Sequence, residues 1–229
     1  MKQISLPLPP RQRASGRIDF LASDSNRAAL GWIERWPDWP AHTLILHGPP
    51  GSGKTHLTRL WQERSDAIVL AGPELTDQTP AGLAPRRAIA VDMADSASER
   101  ALLHLYNWSK ETGGNVLIVA RQAPLRWAVA LPDLASRLRA APEVAIGTPD
   151  DALLSAVLVK HFADRQVRVE PSLIGFLLRR MERSLAAADA IAAALDDAAL
   201  GRKGPISIPL ARRVIAEAGL SPEARDPSA

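Results

Sequence analysis

Between Gly48 and His56 the chain reads Gly-Pro-Pro-Gly-Ser-Gly-Lys-Thr-His, which satisfies the spacing G-x-x-x-x-G-K-[ST]. Glycines at Gly48, Gly51 and Gly53 let successive backbone amides turn inward, and amides that converge in this way cradle phosphate oxygens. Lys54 adds a cation that reaches the β and γ positions of a nucleotide, and the Thr55 hydroxyl can sit on a magnesium ion at the positive end of a following helix. Pro49, Pro50, Ser52 and His56 complete the stretch. The expectation is a phosphate-binding loop for a magnesium nucleotide.

Such a loop needs an acid on a neighbouring strand to hold the magnesium shell. The run "RAIAVDMAD" supplies Asp92 behind four apolar residues, so Thr55 and Asp92 form the expected metal pair. A carboxylate that orients the attacking water commonly follows such an aspartate, but the next residue is Met93 and the next acid is Asp95. Slow turnover in the chain's own site is therefore expected.

These residues have to be placed by strands. Short apolar runs, several of them β-branched, occur at "TLILHG", "AIVLAG", "AIAVD", "NVLIVA" and "EVAIG". The first, third and fourth lead into segments of helical character, and this alternation implies a parallel sheet with crossover helices on both faces. The phosphate loop falls between the strand "TLILH" and the amphipathic "THLTRLWQE", as its chemistry requires. Ahead of it, "SDSNRAALGWIERW" has helical spacing behind Ser23 and Ser25 as caps, and "PDWPAH" breaks it. Past Thr148-Pro149 the chain becomes rich in Ala, Leu and Arg, with helical periodicity over Asp150 to Asp164, Pro171 to Met181, Leu185 to Leu200 and Pro209 to Ala218. A small helical bundle is expected there.

Composition narrows the classes. The 229 residues suffice for one large or two modest domains. With no cysteine there is no disulfide, thiolate nucleophile or zinc-thiolate site, which fits a reducing cytoplasm. The net charge of +3 argues only weakly for nucleic acid. No apolar run approaches a membrane span, and the proline-broken N-terminus does not read as a signal peptide. That N-terminus, Gln3-Ile4-Ser5-Leu6-Pro7-Leu8, should run extended because prolines fix φ and remove donors, and Ile4, Leu6 and Leu8 then share one side.

The order of "FLASDSNRAAL", "GPPGSGKTHL", "LLHLYNWSKETGGNVLIVA", "LPDLASRL", "LIGFLLRRMERSLAAADAIAAALD" and "RKGPISIPLARRVI" resembles the DnaA/Hda branch of the AAA+ proteins over almost the whole chain. The resemblance implies an AAA+ α/β domain, a P-loop parallel sheet flanked by helices, followed by a small α-helical lid, with ADP or ATP held between them. It places an α/β domain at 13–148, a lid at 149–220, an extended tail at 1–12 and a disordered end at 221–229. By the same resemblance Arg137 of "LASRL" takes the arginine-finger position, facing a neighbour's nucleotide. Arg183 of "MERSL" takes the position of a lid arginine that reaches its own. Phe20 and Leu21 fall near the adenine, and the polar sensor position falls at Ala120-Arg121. The chain stops soon after the lid, where an initiator of this branch would continue into a helix-turn-helix domain.

Hda-type members carry an N-terminal peptide of the form Q-L-S-L-P-L that binds the replicative sliding clamp, the beta subunit of DNA polymerase III. Residues Gln3 to Leu8 match it at five of six positions, with Ile4 in place of leucine. The resemblance thus implies a clamp-bound regulator that promotes hydrolysis of DnaA-bound ATP and switches replication initiation off, with DnaA and possible further copies of itself as partners. Two other classes stay open: a P-loop ATPase or helicase loader acting in its own oligomer, and an accessory protein touching DNA through a basic lid.

Overall fold

The computed structural model describes residues 21–85, 87–199 and 206–219. The clamp-type tail, Phe20 and the C-terminal end lie outside the described residues. Five parallel strands, β1 (Thr43–His47), β2 (Ile68–Ala71), β3 (Ala88–Asp92), β4 (Asn115–Ala120) and β5 (Glu143–Ala145), form one sheet in the order β2-β3-β4-β1-β5. All five apolar runs are strands.

Because side chains alternate across a strand, each run feeds both faces. Leu44 and Leu46 of β1 join Leu117 and Val119 of β4 on one side, packed under α1 (Arg27–Arg35) and α2 (Lys54–Ser65) through Ile33, Leu57, Leu60 and Trp61. Ile45, Ile89, Val91, Val116 and Ile118 face the other way, against α3 (Glu99–Thr112) and α4 (Pro132–Ala140) through Leu102, Leu105, Leu134 and Leu138. Burial on both faces is why the strands read as continuous apolar runs rather than alternating ones. It also makes the sheet a rigid frame for the loops at its carboxyl edge.

The start of α1 departs from expectation. Neither Ser23 nor Ser25 caps it: their hydroxyls bond to each other at 2.7 Å, and Asn26 occupies the cap position. Asn26 is buried and turns its side chain backwards, accepting from the Ser23 amide at 2.8 Å and donating to the Leu21 carbonyl at 3.0 Å. An asparagine that can bond its own preceding loop outcompetes the serines here.

After β5 the chain forms α5 (Asp151–Asp164), α6 (Pro171–Leu178), α7 (Leu185–Ala199) and α8 (Ile208–Glu217). They share a separate core that includes Leu158, Phe162, Leu177, Ile191 and Val214. Asp150 caps α5 by accepting from the Leu153 amide at 2.7 Å, and Ser207 caps α8. The four helical segments read from periodicity are all present, with α6 ending at Leu178 rather than Met181.

Candidate functional site

β1 delivers the chain to the carboxyl edge of the sheet, where the Gly48 amide still bonds the Ala120 carbonyl of β4 at 3.2 Å. Beyond it the loop turns through Gly51 at φ 70° and Gly53 at φ 106°, both in the region that side chains avoid, and α2 starts at Lys54. A Cβ on Gly51 would also collide with the Ser184 side chain. No side chain caps α2, so its first amides are left for a ligand.

Lys54 Nζ donates to the carbonyls of Gly48 at 2.7 Å and Pro49 at 2.8 Å, which draws the amine back across its own loop. Its pKa is lowered, first by burial and then by the charge of Arg121, against the opposing fields of Asp92 and Asp95. The Ser52 hydroxyl is buried in the loop with no hydrogen-bond partner. An orphaned hydroxyl, uncapped helix amides and a loop turned through two positive-φ glycines are the features expected of a phosphate site.

Asp92 closes β3, and its Oδ1 accepts from the Met93 amide at 2.9 Å. Met93 sits in the left-handed region at φ 54° and is partly exposed. Pro50, Gly51, Lys54, Thr55, Asp92 and Met93, with Ala120 and Arg121 at the end of β4, line one cavity of about 240 Å³. The loop, the lysine, the threonine and the strand acid predicted from sequence therefore come together. Gly48 and Pro49 line a second cavity of about 300 Å³, beside His47, Gln122, Arg126 and, again, Arg121. Ser52, Gly53 and His56 build the loop and the first turns of α2 without lining either cavity.

The two arginines assigned by resemblance lie elsewhere. Arg183 immediately precedes Ser184, and its Nη1 binds Asp151 Oδ1 at 2.7 Å rather than entering the cavity. Arg137 lies on α4, gripping Asp133 through Nε and Nη2 at 3.0 Å each, with its guanidinium 5.6 Å from the Tyr106 ring. This is the helix-face pairing that competes with a finger role.

Sequence reasoning missed the seam between sheet and lid. The Leu185 amide donates to the Gly51 carbonyl at 2.9 Å, and Ser184 Oγ accepts from the Ala187 amide at 3.0 Å, capping α7. A serine directly before the apolar "LAAADAIAAAL" was the available signal for that cap.

The fold is an α/β domain carrying a glycine-rich loop, followed by a helical lid, in the arrangement of the AAA+ fold. Among solved structures, domain III of the Thermotoga maritima replication initiation protein DnaA is similar with a TM-score of 0.75 at 15% identity, over 93% of this chain and 98% of that one. The Thermotoga maritima RuvB Holliday junction branch migration motor is similar at 0.75 and 16%, over 94% of this chain and 76% of that one. A replication initiator DnaA bound to AMPPCP and single-stranded DNA is similar at 0.66 and 13%, over 77% of this chain and 62% of that one. No family model and no curated protein sequence matches the chain. Among the described residues, no helix is long and apolar enough to cross a membrane.

Proposed function

We propose that the protein is an Hda-type AAA+ regulator: it binds ADP or ATP in the cavity at Lys54, docks on the replicative sliding clamp through Gln3 to Leu8, and promotes hydrolysis of DnaA-bound ATP. The observation that carries the nucleotide reading is the convergence of Lys54, Thr55 and Asp92 on one cavity beneath an uncapped helix. Loop amides and Lys54 bind the phosphates, and Thr55 with Asp92 would hold Mg²⁺, which neutralises phosphate charge when bound.

Met93 supports the regulatory reading. It occupies the cavity wall where a water-orienting carboxylate would serve hydrolysis, so the site retains nucleotide better than it consumes it. An extended peptide with Leu6 and Leu8 as apolar anchors and Pro7 reducing the entropy lost on docking suits a clamp groove. ATP-loaded DnaA incubated with DNA-loaded clamp should convert to ADP faster when this protein is added. That gain should vanish when residues 1–10 are removed or Leu6 and Leu8 become alanine. No acceleration over a broad concentration range would overturn the regulatory role, and normal clamp capture by the truncated chain would overturn the tail's.

A second reading is favoured by Arg180 and Arg212, whose guanidiniums lie 4.2 Å and 6.0 Å from the Phe176 ring and gather charge on the lid. It casts the chain as an accessory or helicase-loader ATPase that touches DNA. Salt-sensitive DNA binding without the clamp would favour it.

A further inference from the structure

The second cavity, of about 300 Å³, lies between the carboxyl ends of β1 and β5 and the turn Pro124–Arg126 that follows β4. Its backbone acceptors are already in use. The carbonyls of Gly48 and Pro49 accept from Lys54 Nζ at 2.7 Å and 2.8 Å, and that of His47 accepts from the Ile146 amide at 2.8 Å. The Gln122 carbonyl accepts from Trp127 Nε1 and the Ala123 carbonyl from the Arg126 amide, each at 2.9 Å. What the wall has left is donors. Among the described residues neither Arg121 nor Arg126 has a carboxylate partner, whereas Arg87, Arg100, Arg137, Arg165 and Arg183 are all paired. Glu143 of β5 stands 3.9 Å from His47 and does not line the cavity. A recess with spare guanidinium donors and engaged acceptors selects a group that only accepts, and a carboxylate matches the guanidinium fork.

Leu125, immediately before Arg126, is 80% exposed. A lone exposed leucine is ordinary, but this one is held out on a braced turn. The Trp127 amide bonds the Pro124 carbonyl at 3.0 Å, Trp127 Nε1 closes back on Gln122, and Pro124 is buried. Further along, Glu99 fixes the amides of Ala130 and Leu131. A turn tied at both ends loses little entropy when something covers it.

The occupant has to offer an acid and an apolar group side by side. A free anion has no use for Leu125, and a nucleic acid strand lays its charges along a groove, with bases that stack on aromatic rings. A polypeptide with acidic and apolar residues in succession meets both demands. We propose that the Leu125–Arg126 turn and the cavity beside it form a docking site for an acidic peptide segment of a partner protein, whose carboxylate bonds Arg126 while a neighbouring apolar side chain covers Leu125. Arg126 lines this cavity and not the one at Lys54, so the site does not depend on nucleotide.

The test selects random peptides displayed on phage against the full chain, counter-selects on Arg126→Glu, and measures the survivors as free labelled peptides by fluorescence anisotropy. Survivors should carry Asp or Glu adjacent to a large apolar residue, and Arg126→Gln should weaken them about tenfold or more. Leu125→Ser should weaken them too, and Arg126→Glu should bind a survivor whose acid has been replaced by lysine. Such a charge-swap rescue cannot come from a damaged fold. Because Leu125 and Arg126 are exposed, the variants should melt with the wild type. A selection without survivors, survivors without an acid, or affinities indifferent to both positions would overturn the proposal. So would single-stranded oligonucleotide binding that is lost in Arg126→Gln, which would assign the site to nucleic acid, and self-association lost in Arg126→Glu, which would assign it to a second copy of this chain.

Discussion

The Leu185 amide donates to the Gly51 carbonyl at 2.9 Å, so the first turn of α7 is bonded to the middle of the phosphate loop. Ser184 packs against Gly51 at the same point, where a methyl group would not fit. Lid and loop therefore share one seam.

Gly51→Ala tests that seam. A left-handed φ of 70° costs an alanine about 1–2 kcal/mol, and forcing a methyl into packed space costs about 1–3 kcal/mol more. Denaturant unfolding should show a loss of about 2 kcal/mol or more, with nucleotide binding lost as well. Gly82, whose Cβ would meet nothing within 4 Å, is the control, and Gly82→Ala should stay within about 0.5 kcal/mol. Equal effects at the two positions would remove the argument.

Much of this was legible in the chain itself. The run of Leu44, Ile45 and Leu46 before Gly48 announced a strand buried on both faces, and the glycine spacing announced the loop it feeds. Asp92 was legible only in company with the loop, which needs an acid on a neighbouring strand, because an acid commonly ends a buried strand for other reasons. Arg121 was legible only through the resemblance, which puts the polar sensor position at Ala120-Arg121; by its type alone, an arginine after a strand looks the same whether it meets solvent or a cavity. The Leu185–Gly51 bond was invisible for a different reason. It joins backbone atoms far apart in sequence, and backbone groups carry no residue signature.

Glu99 offers a second test away from the nucleotide. Its two carboxylate oxygens accept from the amides of Ala130 at 2.8 Å and Leu131 at 2.7 Å, tying the loop ahead of α4 to the start of α3. Bonds to a charged group contribute about 1.5–3 kcal/mol when shielded and less in contact with water, so Glu99→Ala should lower stability by about 1–2 kcal/mol. Hydrogen exchange at the Ala130 and Leu131 amides should quicken selectively. Unchanged exchange there would mean the carboxylate is not what holds the loop.

His161 predicts how the lid responds to acid. Burial is the largest cause lowering its pKa from 6.5, with Arg165 and Lys160 adding to the shift and Asp189 and Asp164 opposing it. A histidine whose folded pKa lies below its unfolded value contributes stability above about pH 6.5 and loses it as pH falls through the folded value. Stability should decline on acidification below about pH 6.5, and His161→Gln should flatten that part of the profile. A variant with the wild-type slope between pH 7 and pH 5 would assign the acid sensitivity to other groups.

The final test separates two roles for Arg137. Its fork closes on Asp133 through two bonds of 3.0 Å, one turn away on α4. An exposed pair at this spacing stabilises a helix by only about 0.3–0.5 kcal/mol, so the grip is weak enough to release when a stronger anion arrives. If the guanidinium serves a neighbour's nucleotide, Asp133 acts as its resting partner, and the neighbour's phosphate must compete with that carboxylate. Arg137→Ala and Arg137→Lys should then keep clamp and nucleotide binding and lose most stimulation of DnaA-bound ATP hydrolysis, because fingers supplied in trans are worth ~10³ to 10⁵ in rate and need the planar fork. Asp133→Asn removes the competing charge and should leave stimulation intact or raise it. Were Arg137 only a helix-face partner, the alanine variant would stimulate hydrolysis at nearly the normal rate, and Asp133→Asn would change no more than the alanine variant does.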